Sequence, residues 1–340
     1  MSQPLGWKMT AAALRDEVAQ ALQTFAWAEW SQLGVSGSPP REREERAIDP
    51  EALLLFTLEI GRGEPRLFDE VLDWLALNEP LVSVQRLRNL CAGPEDRALV
   101  GAALDWSKRT RRRLPHSPGL PFADDLQPLF FAVPPPARDQ LDPEFAKHGL
   151  ARSWLEPSGK SRAPHIREPI SFAFRLRRLL GVGVRAEVLR TLLTIRAHQV
   201  PGKVIADSAG FAQRNVREGL AQLQEAGVVA SQPAGYSTNV AVWAALLEIE
   251  TAPSMPFHFD WIPTLRALTR IHRWLQRPTL DDLSPYLRAS QARTLATEID
   301  GDLRSVVAPL DVYATRGADF WDTFADVTRA AIRAVGHTTA

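Results

Sequence analysis

The stretch "AGFAQRNVREGLAQLQEAG", residues 209–227, decides how the middle of this 340-residue chain is read. Val216, Leu220 and Leu223 recur at i, i+4 and i+7, the spacing of one buried helical stripe. Gly210 offers a position where left-handed backbone is cheap, and Gly227 follows the last periodic residue as a helix stop. A helix is therefore expected at about 212–226. Its polar groups are unevenly placed, with Gln213, Arg214, Asn215 and Arg217 crowding the first half.

Upstream, "VGVRAEVLRTLLTIRA" puts Val184, Val188, Leu189, Leu192 and Leu193 on one stripe, a helix starting after Gly181 and Gly183. "PGKVIADSAG" has room for a short helix with Val204, Ile205 and Ala209 as its expected buried side. Ala206, Ala209 and Gly210 are small, as close packing at a tight turn requires. Three helices that shorten, turn and lengthen again have the spacing of a helix-turn-helix. Downstream, two β-prone runs, 228–231 and 239–243, flank "QPAGYST" with its glycine, a hairpin signal. A hairpin after such a helix is a wing, expected around 231–239.

In a helix-turn-helix the second helix presents its N-terminal half to the major groove. Arginine matches the paired acceptors of guanine, and asparagine or glutamine those of adenine. Gln213, Arg214, Asn215 and Arg217 are thus the expected base-reading residues. Lys203, Arg185, Arg190 and the "RLRR" run at 175–178 are candidates for phosphate contact, with Tyr236, Ser237, Thr238 and Asn239 at or near the wing tip.

On "RAEVLRTLL", "VIADSAGFAQRNVREGLAQLQEAGVV" and "PAGYST", residues 185–243 resemble bacterial winged helix-turn-helix transcription regulators of the MarR and ArsR type. The segment is also similar to winged-helix proteins encoded beside nucleotidyltransferase-like genes. The resemblance covers under a quarter of the chain and implies a repressor-like regulator binding double-stranded DNA. One departure is Ala212, which stands where these families often place a capping Ser or Thr; alanine there costs about 1 kcal/mol.

The whole chain predicts a mainly α, multi-domain protein with this unit at its centre. Residues 1–114 read as a helical domain, 115–169 as a proline-rich connector, 170–250 as the winged unit and 255–340 as a second helical domain. Lysines and arginines number 40, as do aspartates and glutamates, so no global field draws the chain to nucleic acid and any contact must be a local patch. A single cysteine, Cys91, excludes an internal disulfide and a multi-cysteine metal site. The start lacks a signal-peptide pattern and the apolar runs are too short for a bilayer, which predicts a soluble cytoplasmic protein with no membrane partner. In the connector, Phe130, Phe131, Phe145 and Trp154 are expected to be buried.

Other clusters carry less. "WSKRTRRR" at 106–113 reads as a helix C-terminus, where positive charge is favoured, with Trp106 inward and phosphate binding as the alternative. "SVQRLRNLC" follows a helix and a break, and its Gln85, Arg86 and Arg88 make a second DNA-reading unit conceivable, although a plain helical pair is the simpler expectation. "EPSGKSRAP" has Gly-Lys-Ser but lacks the upstream glycine of a phosphate-binding loop. The histidines, His116, His148, His165, His198, His258, His272 and His337, form no metal spacing, and no catalytic constellation or cofactor motif stands out. The expectation is a non-enzymatic DNA-binding regulator without cofactor or metal, a homodimer on a palindromic site. The helical flanks would serve protein partners. The alternative is a protein–protein adaptor or antitoxin-like partner whose winged helix is a scaffold.

Overall fold

Capping residues start many of the helices. Asp49 accepts the Ala52 amide at 3.0 Å ahead of Pro50, and Ser284 accepts that of Leu287 at 3.3 Å ahead of Pro285. Each proline sits at the first helical position, where no donor is needed. The computed structural model describes residues 9–37, 46–113, 125–308 and 315–336. His116, His337 and the start of the proline-rich connector lie outside the described residues.

The protein is mainly helical, with fourteen α-helices and two short sheets among the described residues. The first five helices are α1 (Ala11–Gln32), α2 (Pro50–Ile60), α3 (Pro65–Asn78), α4 (Val84–Leu90) and α5 (Pro94–Arg112). Strands β1 (Gln127–Pro128) and β2 (Leu150–Ala151) pair in parallel around α6 (Pro143–Ala146). Then come α7 (Phe172–Leu180), α8 (Val184–Thr194), α9 (Gly202–Ala209), α10 (Gln213–Glu225), β3 (Ala230–Gln232), β4 (Gly235–Ser237) and α11 (Val240–Leu246). The chain ends with α12 (Trp261–Leu275), α13 (Pro285–Leu303) and α14 (Phe320–Gly336). No helix among the described residues is long and apolar enough to cross a membrane.

The chain divides into two compact units, one of residues 1–26 and 263–340, the other of residues 27–262. This division cuts across the four segments expected from sequence. In the smaller unit, Trp274 packs edge-on against Phe324 at 5.4 Å. The first residues of the chain belong to the same unit through the Arg329–Glu17 ion pair and the bond from Trp321 Nε1 to Met9 O.

In the larger unit, α8, α9 and α10 share one core, which includes Val188, Leu189, Leu192, Ile205, Ala209, Val216, Leu220 and Leu223. Gly210 closes α9 in left-handed backbone at φ +67°. Strands β3 and β4 pair antiparallel, with Gln232 opposite Gly235 and Pro233–Ala234 as the two-residue turn. Val200, between α8 and α9, bridges to Tyr236 through two backbone bonds of 2.8 and 2.9 Å. The hairpin is thus stitched to the segment that leads into α9.

Three local expectations are corrected. Val204 is 43% exposed, and α9 buries Ile205, Ala206 and Ala209 instead. Residues 239–243 are not a strand: Asn239 accepts the Val242 amide at 3.2 Å and starts α11, so local capping overrides β propensity. Phe130 and Phe145 are buried, but Trp154 is only half-buried and Phe131 remains 42% exposed beneath the Arg62 guanidinium, 4.5 Å from its ring centroid.

Candidate nucleic-acid interface

The back of α10 is held by its apolar stripe, and its front is open. Gly219 lets α8 approach closely, since a Cβ there would lie 3.1 Å from Val184 Cγ1 and 3.9 Å from Arg185 Cγ. Gln213, Arg214 and Arg217 are exposed, Asn215 is half-buried, and Lys203 at the start of α9 and Arg185 at the start of α8 are exposed as well. Arg214 has 87% of its side chain accessible. Its 3.2 Å pair with Glu218, one turn on, is a solvated helix pair worth at most about 0.5 kcal/mol, easily given up to a ligand.

Gln213 and Arg217, one turn apart, line a groove of about 390 Å³ between α10 and the hairpin, together with Lys203, Gln232 and Tyr236. Arg214 and Asn215 lie outside that groove. The expected residues therefore do not share one face: Gln213 and Arg217 face the groove and Arg214 and Asn215 point away from it. Ala212 is the N-cap of α10, and no side chain accepts a bond there. The first amides of the helix are left for solvent or an anion, which the dipole favours.

The hairpin residues are placed differently from expectation. The turn is Pro233–Ala234, while Tyr236 and Ser237 lie within β4 and are half-buried. Thr238 is committed internally, since its hydroxyl donates to Val228 O at 2.8 Å and accepts Trp243 Nε1 at 3.1 Å. From Ala230 to Ser237 the hairpin carries no charged residue.

Two expected phosphate contacts, Arg177 and Arg190, are removed by burial. Arg175 is half-buried, its guanidinium donating to Leu247 O, and Arg178 of the same run is exposed. Arg86 of the conceivable second DNA-reading helix is fully buried too. Arg86, Arg177 and Arg190 belong to an internal network with three carboxylates. Arg86 pairs with Asp49 and Glu51, Arg177 with Glu51 and Glu187, and Arg190 with Glu187. Charges balance at three against three, as burial demands. Burial alone would raise the pKa of Asp49, but the guanidinium groups of Arg86 and Arg190 together outweigh it and the carboxyl ends below its ordinary value. Glu187 is likewise held well below the usual carboxylate range, its desolvation overcome by Arg177, Arg190 and Arg86.

The network was missed because its two halves, one around Asp49, Glu51 and Arg86 and the other around Arg177, Glu187 and Arg190, are far apart in sequence. One signal was available: Glu187 lies between Ala186 and Val188 in the buried stretch of α8. An ionisable residue there requires a partner.

The remaining clusters are settled locally. Trp106 is buried, and Arg109 beside it pairs with Asp142 at 3.1 Å. The Gly-Lys-Ser loop is folded onto α3, where the Asp73 carboxylate accepts the Gly159 amide at 3.1 Å and the Ser161 amide at 3.2 Å. His258 bonds to Asp260 at 3.0 Å, and His148 to Asp105 at 2.8 Å. Among the described residues, no three His, Cys, Asp or Glu side chains form a group that could hold a metal. Burial pushes the Cys91 thiol up to about 11, with Asp96 adding to the effect, so it is a poor nucleophile at neutral pH.

No family model matches the chain, and neither a curated protein nor a solved structure matches it.

Proposed function

We propose that residues 184–237 form a winged helix-turn-helix and that the protein is a sequence-specific, double-stranded DNA-binding transcription regulator, repressor-like in its action. The order supports the assignment: α8, the bridging residue Val200, α9, α10, then β3 and β4, with Val200 bridged to Tyr236 of β4. The observation that carries the DNA reading is the uncovered front of α10, bearing Gln213, Arg214 and Arg217 over a buried back. In this reading Arg214 contacts guanine, Gln213 and Arg217 face the strand that runs between α10 and the hairpin, and Lys203 and Arg185 contact phosphates. The uncapped start of α10 takes a further phosphate through its amides. Two copies on a two-fold symmetric site are the expected assembly.

Selection from random duplexes tests this. Binding should weaken with salt, with a log–log slope of about 0.9 for each phosphate contact. Arg214→Ala should cost about 1–3 kcal/mol on the selected duplex and relax preference at one base pair. A chain that selects no sequence and shifts no duplex at low salt would overturn the proposal.

A second reading, a protein-binding module, rests on α11. Val242 and Leu246, one turn apart, are each 60% exposed and form an apolar outer face beside the hairpin. Under that reading, alanine at either position abolishes partner binding while Arg214→Ala leaves it unchanged.

A further inference from the structure

The last carbonyls of a helix have no partner within it and ordinarily turn to water or a cap. At the end of α9 two of them are taken by guanidinium groups from other helices. Ala209 O accepts Arg86 Nε at 2.6 Å, and Ser208 O accepts Arg190 Nη2 at 3.1 Å and Arg86 Nη2 at 3.4 Å. Arg86 belongs to α4, 123 residues before Ala209. Its remaining N–H groups are fixed by Asp49 at 2.5 Å and Glu51 at 2.8 Å, so every donor of the side chain is engaged. Leu90, from the same helix, closes on the turn: a methyl on Gly210 would sit 3.1 Å from Arg86 Nε and 3.2 Å from Leu90 Cδ2. The turn joining α9 to α10 is therefore gripped from outside the helix-turn-helix by a side chain that is itself immobilised.

We infer that Arg86 is a positioning residue for DNA reading, setting from α4 the angle at which α10 presents Arg214 and Gln213. This rests on the reading of α10 proposed above. Arg86 touches no nucleic acid, because it is fully buried. Base contacts require placement to within about 0.5 Å, whereas phosphate contacts with flexible lysines and arginines tolerate more. Loosening the turn should therefore remove preference for sequence and spare general affinity. Positive charges at the C-terminal end of α9 also complement its dipole, so the grip costs the helix nothing electrostatically.

The test uses the full chain and two variants. Arg86→Lys keeps a positive charge among the carboxylates, but one compact ammonium cannot serve them and also reach Ala209 O. Gly210→Ala leaves Arg86 in place chemically and presses a methyl on it from a left-handed backbone position. Fold is checked by circular dichroism and urea unfolding, and binding is measured across salt on the selected duplex and a scrambled one. Each folded variant should lose about tenfold or more on the selected duplex. The change on the scrambled duplex should stay within about threefold, with no change of salt slope.

A folded variant that keeps the ratio between duplexes overturns the inference, and so does an equal loss on both. Should neither variant fold, amide exchange in the unaltered chain decides. The first turn of α10 should open only together with α4, and independent opening there overturns the inference. An unaltered chain that fails to separate the two duplexes sinks the DNA reading instead.

Discussion

Helices α4 and α10 begin with nearly the same text, "SVQRLRN" at 83–89 and "AQRNVRE" at 212–218. Each has a Gln-Arg pair in its first turn and a second arginine within three residues. Their fates are opposite. Arg86 is fully buried with five bonds to protein oxygens, while the Arg214 side chain is 87% exposed and holds only Glu218. Nothing within either heptapeptide decides this. The deciding groups are Asp49 and Glu51, which a capped and largely apolar α2 places inside the core. An arginine goes inward where a buried carboxylate awaits it and outward where none does, whatever its immediate neighbours.

The contrast is sharpest in stability. Arg86→Met should cost about 3–5 kcal/mol in urea unfolding, because it removes the close partner of buried Asp49 and leaves the network one positive charge short. Arg214→Ala should stay within about 0.5 kcal/mol, as surface changes do. Equal losses would erase the distinction between the helices. Acid probes the same contrast without mutation. Asp49 and Glu187 have folded pKa values below their unfolded ones, so their contribution is complete above the unfolded values and is lost as pH falls through the folded ones. The unfolding midpoint should therefore decline steeply below about pH 4, with the buried arginines still charged. A flat midpoint from neutrality to pH 3 would contradict the depressed values.

The hairpin gives an intermediate case. Thr238→Val removes the acceptor of Trp243 Nε1 and the donor to Val228 O, and should cost about 1–3 kcal/mol in thermal unfolding. A side chain reserved for phosphate would show no such loss. The smallest effect belongs to Glu218→Gln, which releases Arg214. Stability should change by less than about 0.5 kcal/mol, and any change in affinity for the selected duplex should be a gain. A loss of affinity would place Glu218 itself in contact with bases.

Much of the central unit was legible in the sequence. The i, i+4, i+7 stripe of α10, the left-handed Gly210 and the cap at Asp49 are local signals, and each structure is where its signal put it. The failures share a cause. Arg177 and Arg86 looked like surface cations because partners of theirs lie on other helices, 126 residues away for Arg177 and Glu51, and Arg190 because its neighbour Glu187 shares the burial of α8. Asn239 looked like part of a strand because β-branched valines follow it, yet its side chain caps α11. Local chemistry is written in neighbouring letters, whereas burial of charge is agreed between distant ones.

The loop at 158–161 bears on any search for nucleotide or phosphate ligands. Its amides already surround an anion, the Asp73 carboxylate, which is carried on α3 and so cannot diffuse away. A tethered group acts at an effective concentration of the order of millimolar or above. Free phosphate at ordinary cellular levels competes against that standing occupant and against the like charge of neighbouring Glu70, which Ser158 Oγ holds at 3.0 Å. The Gly-Lys-Ser signature is satisfied from within, and serves as a clasp that fastens the connector to α3.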